Sequence, residues 1–356
     1  MNSLLLAPEL FLNEGGIARI LRLYLKGLCD NAVEGDHVRF LALNDREIGT
    51  SELHRYSDPH LTEWGAFSRS KVAFSTSALR LAMRSDRIIC GHIGQLSVVW
   101  AAGAIRPKLK YYVVAHGIEV WRPFTYFERV ALGRARRILC VSEYTRRQVL
   151  NYSRLPVERT AILFNALDPG LNPTSATPAD KNPPVILSVS RLSNADNYKG
   201  IEHLISAMPA VLAQIPKARL RIVGRGDGLP SLQSLTRRLN LGGSVEFAGY
   251  RSDSELGNDL DGCRLFALPS QKEGFGLVYL EAMAHGRPCL GANAGGVPEV
   301  ITNDTGMLAD YGDIQGIASA LITALRRNWA LEPLLERARM FSYPIFRERL
   351  AKLLSE

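Results

Sequence analysis

The chain has 356 residues, 46 % of them apolar and 22 % charged, with 43 Lys and Arg against 35 Asp and Glu for a net charge of +8. This excludes a disordered, collagen-like or disulfide-dense chain, and the length favours two domains, each able to bury its own core. No apolar run reaches the ~18 residues that span a bilayer.

Residues 1–12 carry an apolar patch without a basic start or a small-residue cleavage site, so they read as a first strand rather than a signal peptide. Cys29, Cys90, Cys140, Cys263 and Cys289 are scattered, with no CxxC pair, and read as buried free thiols of a reducing, cytoplasmic compartment. The charge is uneven. Residues 1–170 hold 23 Lys and Arg against 16 Asp and Glu, and residues 171–356 hold 20 against 19. Two arginine groups, Arg134, Arg136 and Arg137, then Arg146 and Arg147, mark the first half for an anionic partner.

In chain order, continuous apolar, β-branched runs at 3–7, 37–43, 87–91, 111–115 and 137–141 read as strands buried on both faces. Helical patterns near 17–28, 95–102, 127–133 and 143–151 alternate with them, which predicts a parallel sheet between helices. Residues 169–184, PGLNPTSATPADKNPP, have the composition of a linker. The alternation then resumes, with strands at 185–189, 220–223, 245–247, 265–268 and 288–291 and helices at 201–215, 232–241, 254–261, 277–286 and from 314 onward. The predicted architecture is α/β, two doubly wound Rossmann-like domains over 1–168 and 185–340. In open α/β sheets ligands sit beyond the carboxyl ends of the strands, so the cleft between two such sheets is the expected site.

The densest chemistry lies in 269–286, PSQKEGFGLVYLEAMAHG, where a strand runs through a glycine-containing loop into a helix. Gly274 and Gly276 permit close approach of backbone amides, and the helix start at Leu277 offers N–H groups suited to a phosphate. Glu273 and Glu281 flank that loop, and ionised carboxylates beside an anion site suit sugar hydroxyls, which are donors. No G-x-G-x-x-G follows the first strand, which disfavours hydride transfer to a nicotinamide. Asp259-Leu-Asp261 is a D-x-D match on a predicted helix and reads as a pair of surface carboxylates. No aromatic–basic interleaving of an RNA-binding kind is present, so nucleic acid is not an expected partner.

Glu273-Gly-Phe-Gly-Leu-Val-Tyr-Leu-Glu281 resembles the E-x7-E signature of the family-4 retaining glycosyltransferases, and the likeness continues through EAMAHGRP to Gly295-Gly-Val-Pro-Glu299. Asn13-Glu14-Gly15-Gly16 resembles that family's N-terminal glycine-rich loop. His116-Gly117 resembles its HD/HG element, Asn165 its N-G/A-x-D element, Val223-Gly224-Arg225-Gly226 its G-x-G, and Gly249-Tyr250-Arg251 its base-flanking segment. Ser142 reads equally as a helix cap.

The resemblance implies the GT-B fold. A final helix over about 341–356 would cross back to complete the first, acceptor-side domain, and 185–340 would bind the donor. It implies a metal-independent, retaining hexosyltransferase with no cofactor beyond a nucleotide-diphosphate sugar as donor. Lys199 and Arg191 would neutralise the diphosphate with Gly15, Gly16 and the Gly276-Leu277 helix start. Glu281 would hold the ribose. Glu273, Gly274, Phe275, Gly276 and Leu277 would hold the sugar, and His116 would sit at its C6 side. Asn165, Gly224 and Arg251 would complete donor binding. Arg191 and Lys199 are eight residues apart, a longer loop than the short form of the motif, which puts Arg191 in question.

GDP-mannose and UDP-hexoses are both open as donors. A lipid-linked saccharide of surface-polysaccharide assembly is the expected acceptor, with an anionic membrane surface met through the five arginines, on the inner face of the plasma membrane. A small soluble acceptor and a non-catalytic sugar-nucleotide-binding protein are the alternatives.

Overall fold

The computed structural model describes residues 1–12, 15–57, 59–171 and 183–355, so most of the expected linker, 172–182, lies outside the described residues. Two compact units result, Met1–Asp168 with Ser342–Glu356, and Pro169–Phe341.

The first unit runs β1 (Asn2–Ala7), α1 (Gly16–Asp30), β2 (His37–Ala42), α2 (Thr50–Tyr56), β3 (Leu61–Ala66), α3 (Lys71–Ala82), β4 (Arg87–Cys90), α4 (Leu96–Ile105), β5 (Lys110–Ala115), α5 (Tyr126–Arg134), β6 (Arg137–Cys140), α6 (Glu143–Ser153) and β7 (Thr160–Ile162). The strands form one parallel sheet in the order β3-β2-β1-β4-β5-β6-β7. Successive strand residues face opposite sides, and the core follows that period of two. Leu4 and Leu6 enter one hydrophobic cluster and Leu5 and Ala7 the other; Tyr111, Val113 and Ala115 divide from Tyr112 and Val114 in the same way. Both faces are covered, by α3, α4, α5 and α6 on one side and by α1 and α2 on the other.

The second unit runs β8 (Val185–Val189), α7 (Ile201–Gln214), β9 (Arg219–Val223), α8 (Leu229–Arg238), β10 (Val245–Gly249), α9 (Asp253–Gly262), β11 (Leu265–Leu268), α10 (Leu277–Ala284), β12 (Cys289–Ala292), β13 (Gly306–Ala309), α11 (Ile314–Arg326) and α12 (Leu331–Arg339). Its parallel sheet has the order β10-β9-β8-β11-β12-β13. The last helix, α13 (Tyr343–Ser355), belongs to the first unit. Phe346 and Leu350 pack into the α1 core, and the Tyr343 hydroxyl donates to Asp30 at 2.6 Å.

The elements that sequence patterning alone does not reveal are α2, β3, α3, β7 and β13. β3, β7 and β13 are edge strands, buried on fewer sides, so they carry no continuous apolar run; Trp64 of β3 is 47 % exposed. All five cysteines are buried, and none forms a disulfide among the described residues.

One buried group positions the loop after β1. Asp45 is 1 % exposed, and its carboxylate accepts backbone N–H bonds from Leu10 at 2.9 Å, Leu12 at 2.8 Å and Phe11 at 3.3 Å. Removing it leaves the buried Leu10 N–H without its acceptor, at about 1–3 kcal/mol, and takes away the acceptor of the part-buried Phe11 and Leu12 N–H groups. Asp45→Ala is expected to lose about 3 kcal/mol of first-unit stability, and Asp45→Asn, which keeps one acceptor oxygen, about half of that. Urea unfolding followed by a first-unit probe measures both, and equal stability of Asp45→Ala and wild type would show that the loop holds without it.

Candidate active site

Parallel strands deliver every following loop to one edge of a sheet, and the crevice opens where the strand order reverses. In the second unit that point lies between β8 and β11. The loop after β8 ends in a 3₁₀ turn, Asn194–Lys199, and Gly200 caps α7; the loop after β11 carries Glu273. The two loops are tied together: the Gln271 N–H donates to the Tyr198 carbonyl at 2.8 Å, and Lys199 Nζ lies 2.7 Å from Glu273 Oε2. Both side chains are about one-fifth exposed, so this pair is only partly screened by water.

The GGVPE segment is the other wall of the Glu273 loop. Gly296 N–H donates to the Glu273 carbonyl at 2.8 Å, and Gly295, at φ +60°, leaves its Cα where a Cβ would stand 2.5 Å from that same oxygen. This close approach is why the two glycine-containing motifs occur together. Gly276 caps α10 at φ +101°, with Tyr279 packed where its Cβ would be. Phe275 is buried, and Glu281 is buried on α10.

The long loop between Arg191 and Lys199 contains an anion that the sequence reading did not single out. Arg191 Nε pairs with Asp196, whose other oxygen accepts from the Tyr198 hydroxyl at 2.8 Å. Burial opposes the charge of Asp196, but the Arg191 and Tyr198 donors outweigh it and hold that carboxyl below its usual range. The extra residues therefore supply a tether for Arg191, which is still 73 % exposed.

Loops after β9 and β10 stand beside these. Gly224 and Gly226 follow β9, and Arg225 lies 4.8 Å over the ring of the exposed Tyr250. Arg251 turns to Glu255 at 3.4 Å and Asp259 at 3.3 Å. Arg221 reaches Asp259 from the other side at 2.7 Å, and Asp261 lies 2.8 Å from His285 Nδ1. The expectation that Asp259 and Asp261 are surface carboxylates is therefore corrected: Asp259 is buried between the guanidiniums of Arg221, on β9, and Arg251, which follows β10, and Asp261 is engaged by His285.

In the first unit the reversal lies between β1 and β4. Gly15 caps α1 and Gly16 begins it; Asn13 and Glu14 of that motif lie outside the described residues. His116 follows β5 and is buried. Its Nε2 bonds the Gly91 carbonyl at 2.7 Å, and its backbone N–H donates to Glu119 at 2.6 Å. A carbonyl only accepts, so Nε2 carries the proton and Nδ1 keeps a lone pair. His92 lies against it, ring centroids 6.5 Å apart and 20° from parallel, and accepts the Gly94 N–H on Nδ1. His92 and Glu119 were not legible beforehand, since each is a lone polar residue in its segment.

Asn165 follows β7, and its Oδ1 is buried without a hydrogen bond. Ser142 is the cap of α6, accepting from Thr145 N–H at 3.1 Å. The five arginines are not equivalent. Arg146 is bonded to Glu143 and Thr160, and Arg137 to the Glu158 carbonyl. Arg134 lies over Trp100 and Arg147 over Tyr144, and Arg136 is exposed after α5.

Burial lowers the His116 pKa from 6.5; Glu119 and the Gly91 carbonyl oppose the shift and His92 adds to it. A lowered native value means the unfolded chain protonates first as pH falls, so the first unit loses stability from about pH 6.5 downward. His116→Gln is expected to flatten that slope, measured as the change in urea midpoint between about pH 7.5 and about pH 5.5. An unchanged slope would assign the dependence to other groups.

Two family models match, glycosyltransferase family 4 over residues 14–171 and glycosyl transferases group 1 over residues 174–342. The N-acetyl-alpha-D-glucosaminyl L-malate synthase of Bacillus anthracis is 37 % identical over 158 residues, 44 % of this chain and 40 % of that protein. The GDP-mannose-dependent monoacylated alpha-(1-6)-phosphatidylinositol monomannoside mannosyltransferase of Corynebacterium glutamicum is 36 % identical over 172 residues, 43 % of each chain. The matched segments thus span well under half the length of these relatives. The crystal structure of Anabaena HepE in complex with UDP covers 100 % of both chains with a TM-score of 0.81 at 24 % identity. With tandem family-4 and group-1 regions over nearly its whole length and the GT-B fold, this chain belongs to the family of glycosyl transferases that those two models describe.

Proposed function

We propose that the protein transfers a hexose from a nucleotide-diphosphate sugar to a hydroxyl acceptor with retention of anomeric configuration and without a metal. The observation that carries this reading is the Lys199–Glu273 pair at the sheet reversal of the second unit. It stores a cation for phosphate and an anion for hydroxyls side by side, each neutralising the other until a ligand bearing both groups separates them. Arg191, tethered by Asp196, adds a second cation, and the Gly276-Leu277 helix start adds N–H donors. Glu281 on α10 would take the ribose, and Arg225 with Tyr250 offers a ring face beside Gly224 for the base.

In the reaction the bond from the sugar's anomeric carbon to the diphosphate oxygen breaks and a bond to the acceptor oxygen forms on the same face. The acceptor proton passes to the departing phosphate. The protein's part is positioning and electrostatic stabilisation of the charge growing on the diphosphate. His116, neutral and with a free Nδ1 lone pair, would accept a hydrogen bond from a sugar hydroxyl. A lipid-linked saccharide is the favoured acceptor, by analogy with the Corynebacterium glutamicum relative, a phosphatidylinositol monomannoside mannosyltransferase. The donor base and sugar are chosen by experiment: saturable hydrolysis across GDP-mannose, UDP-glucose, UDP-galactose and UDP-N-acetylglucosamine.

With the donor so identified, Glu273→Gln and Lys199→Met are each expected to lower turnover by about 100-fold or more, with thermal unfolding near wild type. Turnover within a few-fold of wild type in either would remove that residue from the site. Activity is expected to survive EDTA, since lysine and arginine take the place of a metal at the diphosphate. Loss on chelation, restored by magnesium or manganese, would overturn the metal-independent reading. A chain that binds but never hydrolyses or transfers any of these sugars would be a binding protein instead.

A further inference from the structure

Charge is segregated within the first unit. Residues 71–147 hold 14 Lys and Arg against four Asp and Glu, a balance of +10, so the rest of the chain sums to −2. This stretch begins with α3 and ends in the first turns of α6. Ala78, Val99, Leu132 and Val149, one from each of α3 to α6, share one core on the same face of the sheet. α3 packs on α4 and α4 on α5. These four helices carry Lys71, Arg80, Arg129, Arg134, Arg146 and Arg147 against two acids, Glu128 and Glu143, and the other basic residues of the stretch lie on the strands and loops between them.

The stretch also exposes apolar groups. Among the described residues, 14 large apolar side chains are exposed by more than a third, and seven of them fall in 71–147, about a fifth of the chain. α5 is the densest part: Tyr126 is 78 % exposed, Phe127 39 % and Val130 37 %. Residues 126, 130 and 134 form one stripe at helical spacing. Arg134, at its end, lies 5.8 Å over Trp100, and Phe127 meets the same ring edge-on at 5.4 Å. Arg129 is exposed on the same helix. A capping box, Thr125 with Glu128, fixes where α5 starts and hence which residues point outward. As the helix after β5, α5 begins near the sheet edge that carries His116.

Aromatic and aliphatic side chains set among guanidiniums are the composition of a helix lying in a bilayer interface, with apolar groups at the acyl boundary and arginines at lipid phosphates. Stacking on nucleic-acid bases would use the rings but give Val72, at 77 % exposure, Ile105 at 64 % and Val130 no role. No helix among the described residues is long and apolar enough to cross a membrane, so contact through this face would be peripheral.

We propose that the outward face of α3 to α6, centred on α5, docks on an anionic lipid surface, with Tyr126, Phe127 and Val130 entering the headgroup layer and Arg129 and Arg134 meeting lipid phosphates. This deepens the transfer reading by bringing the enzyme to its lipid-linked acceptor, but its test needs neither donor nor acceptor. The full chain is sedimented at low salt with phosphatidylcholine vesicles, with and without phosphatidylglycerol. Binding is expected only with phosphatidylglycerol, and added salt is expected to weaken it. Arg129→Gln with Arg134→Gln, and separately Tyr126→Ser with Val130→Ser, should each weaken it by about tenfold or more. Tyr126→Ser alone, at a position too exposed to disturb the core, should weaken it measurably.

Arg237→Gln with Arg238→Gln, in the second unit, should change nothing. No sedimentation with anionic vesicles, equal sedimentation with neutral ones, or binding that the α5 substitutions leave intact would overturn the proposal. Hydrolysis of nucleotide sugar in solution, measured on the same preparations, fails or holds independently and reports on the transfer reading alone.

Discussion

Parallel strands share a direction, and from that constraint the rest follows. Each β-α step returns the chain to the same edge, so every loop that leaves a strand is delivered to one place, and the loops at the order reversal have room between them. In the second unit this brings residues 74 positions apart in the chain, Lys199 and Glu273, to 2.7 Å. The backbone contacts beneath them, Tyr198 with Gln271 and Glu273 with Gly296, hold the pair on loops that are themselves pinned. Preorganisation of this kind gives fixed charges their catalytic value, because little reorganisation remains at the moment of reaction.

Charges in this unit are arranged by burial as much as by sign. Asp196, Asp259 and Asp261 are all carboxylates near the site or behind it, and each is engaged by a cation or an imidazole. Asp259 spends two arginines, Arg221 and Arg251, on structure. Asp196 leaves Arg191 anchored yet largely exposed, and Lys199 faces Glu273 in the crevice. The cations bound into structure are thereby separated from those left at the crevice, although all lie within short sequence distance of a motif glycine.

The first unit follows the same topology with a different electrostatic character. Its crevice edge carries an imidazole whose pKa burial lowers, and residues 71–147, helices together with the strands and loops between them, carry a balance of +10 while the rest of the chain sums to −2. The sheet itself is shielded on both faces, so these charges do not act on its core; they act outward. That division lets one unit present a neutral hydrogen-bonding edge and a cationic exterior on separate surfaces.

The sequence by itself determined the α/β alternation, the two-domain division and the residues of the E-x7-E segment. These are local signals: a strand buried on both faces must be a continuous apolar run, and a loop that approaches a backbone closely must use glycine, as at Gly276 and Gly295. Edge strands such as β3 and β7 were not legible, because a strand covered on fewer sides needs no such run. Only the tertiary structure decided which charges are paired. Whether Arg251 meets a ligand or Asp259, and whether the insert before Lys199 displaces Arg191 or tethers it through Asp196, depends on which side chains adjacent strands and loops bring within a few ångströms. Coulombic contact falls off with distance in space, which sequence separation does not measure.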